Sequence, residues 1–399
     1  MDDQVRTVTP LRSVPPASGP RTRSAQLAIS SELPVGLTVE TDWPDRTVVV
    51  VTGFRQPQVV ATVTNAGFVP IMVPPDLAND MVVDVGPFTF LMVGPDAVAD
   101  AAGIELVRSI RSCSPSARVI LLADDQNSSP STLVGAARVG VTEVVDPSDA
   151  DALRETIESQ LKLAGERRAR VLAIGAHPDD VEIGCSGTLL SHRRRGDRIS
   201  LLTLSRGGGG GDEEAGTHEA VAAAEAIGAQ LILGDLVETR IDDGVDTIRL
   251  LEAVVTVLRP TIIYVHSKHD AHQDHRAVHT AAMSATRGVP SVFAYQSPSA
   301  NNDFMPTKFV AIDQFVSEKV KVLGLFGSQD ERPYVEPELV VAGARYWARH
   351  LAPRAHFAEP FEVIRDTDEF APVSPSATEG PGNPARRMSG GPDTAGSGA

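Results

Sequence analysis

Cysteine is nearly missing: Cys113 and Cys185 are the two among 399 residues. That excludes the disulfide frameworks by which small secreted domains hold together. No apolar run approaches the roughly 20 residues that a membrane helix needs. The opening stretch, MDDQVRTVTPLRSVPPASGP, contains no apolar core, so neither a membrane span nor a secretory signal is expected. Cations are outnumbered, with 36 Lys plus Arg against 52 Asp plus Glu and a net charge of −16. A nucleic-acid partner is therefore not expected, because affinity for phosphate backbones rests on clustered cations. Aromatics reach only 5%, whereas the 42% of hydrophobic residues is enough to fill real cores. The expectation is a cytoplasmic protein without a membrane anchor.

About one domain per 150 residues predicts two to three domains. Residues 1–42 are rich in Ser, Thr, Pro and Arg and show no sustained apolar period, so they read as a flexible tail. Residues 368–399 are lower still in complexity and read as a disordered tail. Between them, short apolar runs alternate with helical patterns in two blocks, 43–164 and 165–367, with the boundary in the charged stretch GERRAR. In the first block, strands are expected at 47–53, 68–73, 88–94, 118–124 and 143–146. In the second they are expected at 171–176, 199–204, 230–233, 261–265, 291–295 and 308–312. Several of these runs are continuously apolar, as strands buried on both faces are. The fold class this pattern gives is α/β, with two doubly wound parallel-sheet domains. In such sheets ligands gather outside the carboxyl ends of the strands.

Two chemistry-bearing clusters sit at such ends. His177-Pro178-Asp179-Asp180 follows the strand at 171–176, and the stretch from His266 to His275 follows the strand at 261–265. The chain has ten histidines, and His266, His269, His272 and His275 fall within that second stretch. Both clusters leave strand ends of one sheet, so they converge on one crevice. His and Asp supplied from two loops match a catalytic metal site with open coordination positions. The additional carboxylates and histidines suit general acid–base work.

The motif AHPDDVEIG, followed about 90 residues later by HQDH, resembles the PIG-L/LmbE family of zinc-dependent N-deacetylases. EAVAAAEAIGA, TRIDDG and EKVKVLGLFGSQ agree with that resemblance, which covers about 200 residues and implies a Rossmann-like fold. It implies that His177, Asp180 and His275 hold zinc and that Asp179 is the general base on the bound water. It further implies that His272 protonates the leaving amine or stabilises the oxyanion, in its protonated form, and that Asp274 orients a histidine. Bound zinc lowers the pKa of water from 15.7 toward about 7, which provides hydroxide at neutral pH. His and carboxylate ligands suit Fe(II) as well. Arg240 and Asp243, in TRIDDG, are candidates for contacts to a sugar or other polar substrate. The five glycines at 207–211 lack a following GK[ST], which argues against a phosphate-binding loop.

The first block resembles the receiver domain of bacterial response regulators, a flavodoxin-like fold, through its topology and the segment GIELVRSIR. The residues a working receiver needs are missing. Its first strand ends Thr52-Gly53-Phe54 without an acidic pair, Asp96 lies just beyond the phosphoacceptor place, and Asp146 stands where Lys precedes Pro147. A degenerate receiver is expected, one that docks, dimerises or positions the enzyme, so a homo-oligomer or a protein partner stays open. The leading expectation is hydrolysis of an N-acyl bond, above all N-acetyl, on an amino sugar or sugar-containing metabolite. An amidase of a thiol–sugar conjugate uses the same residues. A signalling or assembly protein that works through the receiver-like domain without catalysis is the third reading.

Overall fold

A computed structural model describes residues 33–41, 47–53, 56–73, 75, 88–124, 126–127, 129–207, 213–327 and 336–367. Most of the expected N-terminal tail, all of the C-terminal one and glycines 208–211 lie outside the described residues. The chain forms mixed α/β structure around two sheets.

The first strand, β1 (Leu37–Val39), joins the second sheet rather than the nearer one, pairing antiparallel with β9 (Gln230–Leu236). The smaller sheet then forms from β2 (Thr47–Val51), β3 (Val69–Val73), β4 (Phe90–Val93), β5 (Arg118–Leu122) and β6 (Val141–Val145). These are all parallel, in the order β3-β2-β4-β5-β6. Alternation along each strand sends side chains to both faces, and both faces are covered. Val49, Val51, Leu91 and Val93 pack on Ile104, Val107 and Ile110 of α2 (Ala101–Cys113), in one cluster with Ala136 and Val139 of α3 (Pro130–Val139). Val48, Val50, Phe90 and Met92 meet Val59 and Val63 of α1 (Pro57–Asn65), with Leu153 and Ile157 of α4 (Ala150–Arg167).

The larger sheet runs β1-β9-β8-β7-β10-β11-β13-β12. Its centre is parallel: β9, β8 (Arg198–Ser205), β7 (Arg170–Gly175), β10 (Ile262–His266) and β11 (Ser291–Tyr295). Its outer strands correct the expectation of a parallel domain. β13 (Ala358–Asp366) is antiparallel to both β11 and β12 (Lys308–Ala311), and β1 is antiparallel to β9. One face carries α5 (Asp180–Arg194) and α6 (Glu213–Ile227), which bury Val181, Leu189, Ala223 and Ile227. The other carries α7 (Val245–Leu258) and α8 (Gln273–Ala285) over Leu172, Ile174, Ile263 and Val265. From β7 the chain winds first toward β8 and later, on the opposite side, to β10. The crevice therefore opens at the carboxyl ends of β7 and β10.

The N-terminal strand is tied down by more than its ladder. Thr41 Oγ1 donates to the Ala229 carbonyl (3.1 Å) and accepts from the Leu231 N–H (2.9 Å). Glu40 and Thr38 both hold Arg206, at 3.1 and 3.0 Å, where β8 ends beside the crevice. Thr41→Val leaves two buried backbone groups without their partner, so it is expected to lower stability by about 1–3 kcal/mol, read from denaturant midpoints.

Candidate metal centre

The sharp turn between β7 and α5 places His177, Asp179 and Asp180 at the mouth of the crevice. Asp179 adopts φ 94°, a left-handed conformation that costs a non-glycine residue energy and marks a position held by its surroundings. It begins α5 as the N-cap residue, and its carbonyl accepts from the Ile183 N–H. Asp180 Oδ2 folds back to accept from the N–H groups of Ala176 (3.0 Å) and His177 (2.7 Å). Behind the turn, a methyl group on Gly184 would sit 2.3 Å from the Tyr295 ring, so only glycine lets the helix approach β11 this closely.

From the other side, His272 caps α8 and Asp274 and His275 fill its first turn. The two loops meet. His177 Nδ1 lies 3.3 Å from Asp180 Oδ2 and 3.4 Å from His275 Nε2, and His275 Nε2 lies 3.2 Å from Asp180 Oδ1. Four donors at about 2.0–2.1 Å around a tetrahedral ion stand about 3.3–3.4 Å apart; the two imidazole nitrogens have that spacing, and Asp180 offers one oxygen to each of them. Each imidazole is also held from behind by a carboxylate, as metal-bound histidines are. His177 Nε2 donates to Asp274 Oδ2 (3.0 Å), and His275 Nδ1 donates to Asp270 Oδ2 (3.0 Å).

The electrostatics ask for positive charge at this point. Burial opposes the cationic form of His177, but Asp180 and Asp274 outweigh it and raise its pKa to about 9. His275 is likewise opposed by burial and raised, by Asp180 and Asp270, to about 10. Burial works against the charged form of Asp180 too, yet the surrounding histidines hold its pKa well below the usual carboxylate range. Two imidazoles that both favour a proton face each other across 3.4 Å and repel when both are charged. A dication between them relieves that repulsion and satisfies the carboxylate. The donor set therefore fits a divalent metal of the zinc or iron class.

Two other trios, His177 with His272 and His275, and Asp180 with His266 and His275, are also close enough to hold an ion. The trio with His266 fits less well, because His266 Nε2 is already 3.1 Å from both the Ala176 N–H and Asp180 Oδ2. The ring of His266 stacks at 3.9 Å on His275, nearly parallel to it. Burial pushes the His266 pKa down to about 4, so this ring is neutral at physiological pH.

His272 stands at the open side, its ring 4.9 Å from that of His177. Burial, with the neighbouring His275 and His177, lowers its pKa. That direction favours the neutral ring over the protonated form that the resemblance implies. Its Nδ1 accepts from the Asp274 N–H, so the ring proton sits on Nε2. Arg240 and Asp243 are both exposed on the loop between β9 and α7. That loop is anchored to the centre by the Thr239 N–H, which donates to Asp274 Oδ2 (2.6 Å).

Asp270 is the contributor that sequence reasoning passed over. Burial opposes its charge, but bonds from His275, Ser297 and Ser299 hold its pKa far below the usual carboxylate range. Ser297 Oγ and Ser299 Oγ donate to its two oxygens at 2.5 and 2.6 Å. Asp270→Asn is expected to weaken metal affinity by about 10–100-fold, measured by competition with a chromophoric chelator.

Residues 172–286 match the PIG-L family, described as GlcNAc-PI de-N-acetylase. The chain is 33% identical over 183 residues to the uncharacterized deacetylase YaiS of Escherichia coli K12, a match covering 42% of this chain and 96% of that protein. Among solved structures it is similar to the conserved protein TT1542 of Thermus thermophilus, with 26% identity and TM-score 0.44, covering 49% of this chain and 94% of the other. The N,N'-diacetylchitobiose deacetylase of Pyrococcus horikoshii gives 16% identity and TM-score 0.45, covering 54% and 94%. The sequence relationship and the site together define a hydrolytic N-deacetylase. The chain belongs to the PIG-L family.

Proposed function

We propose that this enzyme is a zinc-dependent hydrolase that removes an acetyl group from an N-acylated amino sugar or a sugar-containing metabolite. The observation that carries the reading is the trio His177, Asp180 and His275: two imidazole nitrogens 3.4 Å apart, an Asp180 oxygen 3.3 or 3.2 Å from each, and a carboxylate behind each imidazole. These three side chains would hold the ion, with Fe(II) as the competing metal. When bound, such an ion is a Lewis acid that polarises a carbonyl and makes water acidic near neutral pH.

The protein supplies the rest. Asp179, buried at the strained turn beside the trio, takes the proton of the attacking water. His272 Nε2–H, fixed outward by the bond at Nδ1, donates to the oxygen on which negative charge develops. The proton held by Asp179 then passes to the departing nitrogen. Asp274 holds His177 and the substrate loop through one oxygen, so ligand geometry and the positions of Arg240 and Asp243 are coupled. Arg240 and Asp243 offer one cation and one anion to the hydroxyls of a sugar.

We read residues 165–367 as the deacetylase domain and 43–164 as a receiver-like domain that docks, dimerises or positions it. The strand order of the smaller sheet supports this, because it is the flavodoxin-like order. Its strand-end carboxylates are committed locally. Asp96 accepts from the Gly53 N–H and Thr52 Oγ1, Asp124 closes its own turn, and Asp146 caps Ser148. None of these bonds brings the three together in a cation clamp. They speak against phosphoryl transfer, and docking, dimerisation or positioning is the role we assign instead.

The test is metal content by elemental analysis, on wild type and on His177→Ala/His275→Ala, followed by product analysis. About one zinc per wild-type chain, lost in the variant, with acetate released from N-acetylglucosamine, is the expected result. Release of a larger acid from an acylated thiol–sugar conjugate would turn the reading to the amidase. Absence of bound metal after zinc loading would overturn it.

A further inference from the structure

The helix that presents Asp179 and Asp180 is broken one turn after it begins. Cys185, with φ −149° and ψ 15°, is non-helical inside α5. In a continuous helix the Ile183 carbonyl would accept from the Gly187 N–H, and the Gly184 carbonyl from the Thr188 N–H. Two buried charged side chains from elsewhere in the fold take up these groups instead. Lys319 Nζ, from α9 (Val316–Leu323), donates to the Ile183 carbonyl at 2.6 Å. Glu359, on β13, accepts from the N–H groups of Gly187 (3.0 Å) and Thr188 (2.7 Å). Lys319 and Glu359 also meet each other at 2.5 Å, and both are nearly inaccessible, at 5% and 3% exposure.

The polarity is the one helix ends favour. The ammonium sits at the carbonyl end of the first turn, and the carboxylate sits at the N–H end of the longer helical segment beyond the break. The first turn cannot take its direction from the rest of the helix, because the hydrogen-bond ladder is interrupted. It is held at one end by Asp180 folding back on the β7 turn, and at the other by Lys319.

We infer that the Lys319–Glu359 pair is a positioning device, inserted into the break of α5 to fix the turn that aims Asp179 and Asp180 into the metal centre. Neither side chain touches the centre itself among the contacts described. The inference rests on the roles proposed above for those two aspartates. It makes an unusual demand on the pair: charge complementarity is not enough, because Lys319 must donate to a carbonyl and Glu359 must accept from two amides.

Three variants separate this from a stabilising ion pair. Glu359→Gln keeps an acceptor oxygen and so the fold, Lys319→Met removes the donor, and Lys319→Glu/Glu359→Lys preserves the pair but reverses donor and acceptor. Each is read by amide hydrogen exchange over residues 180–188, by the visible spectrum of the cobalt(II)-loaded protein, and by kcat and KM for acetate release from N-acetylglucosamine. Glu359→Gln is expected to speed exchange in that segment, shift the cobalt band with stoichiometry unchanged, and lower kcat roughly tenfold with KM within about twofold. Lys319→Met is expected to lose about a hundredfold in kcat, and the reversed pair should be no better. Recovery of wild-type kcat and cobalt spectrum by the reversed pair would overturn the inference. So would unchanged exchange and spectrum in Glu359→Gln, which remains decisive if the other two fail to fold. A wild type that releases no acetate would sink the substrate reading alone, and one that takes up no cobalt would sink the metal reading. Hydrogen exchange would still report on the pair in either case.

Discussion

Asp179→Asn is expected to lower kcat by about 10²–10⁴-fold while the protein keeps its full complement of metal. The amide has nearly the shape of the carboxylate and can occupy the same left-handed turn at φ 94°. It cannot take a proton from water. The three proposed ligand atoms belong to His177, Asp180 and His275, so metal content should not fall with activity. The contrast with Asp180→Asn sharpens the test. Asp180 Oδ2 accepts two backbone N–H groups and faces His177, while Oδ1 faces His275, so its neutralisation should cost metal and activity together. Measuring zinc stoichiometry and initial rates on both variants separates the two roles. Turnover by Asp179→Asn within about tenfold of wild type would remove it as the base.

The centre was legible because its chemistry is local in sequence. Each motif directly follows a buried strand, and parallel neighbours bring such strand ends together wherever they lie in the chain. The groups that hold the ligands were not legible in the same way. Asp270 was in view within the histidine-rich stretch, but its partners Ser297 and Ser299 lie nearly thirty residues on, in an unremarkable loop. Lys319 and Glu359 are separated by 40 residues, and neither has meaning until the break at Cys185 frees the groups they bind. Two outer strands, β1 and β13, were missed for a related reason, whereas the strand expected at 308–312 is β12. β13 carries a proline within a run of mixed polarity, AEPFEVIRD, and only two of its neighbours make it a strand. β1 is three residues long, between Gly36 and Glu40, and its partner β9 lies almost two hundred residues away. Local pattern reports what a segment buries on its own, whereas edge strands and supporting hydrogen bonds are settled by tertiary pairing.

Metal affinity is expected to rise steeply with pH, by up to about a hundredfold per unit between pH 7 and 9, and to level off above about 10. The sign is set by the ion-free protein. His177 and His275 have folded-state pKa values raised to about 9 and about 10 from an ordinary value of 6.5. Their protonated forms therefore stabilise the ion-free fold fully below pH 6.5, and that contribution is lost as pH rises through 9 and 10. A metal ion needs both rings neutral, so it competes with two protons at neutral pH and with none well above pH 10. The same ion should thus add more stability at high pH, where the ion-free protein has lost its protons' contribution, than at pH 6. Titration calorimetry in two buffers of different ionisation enthalpy counts the protons released. Roughly two per ion at pH 7.5 is the expected number. Release of none, with affinity flat from pH 7 to 9, would mean that the two histidines are neutral before the ion arrives. The carboxylates of Asp180, Asp270 and Asp274 would then not set the charge of the site.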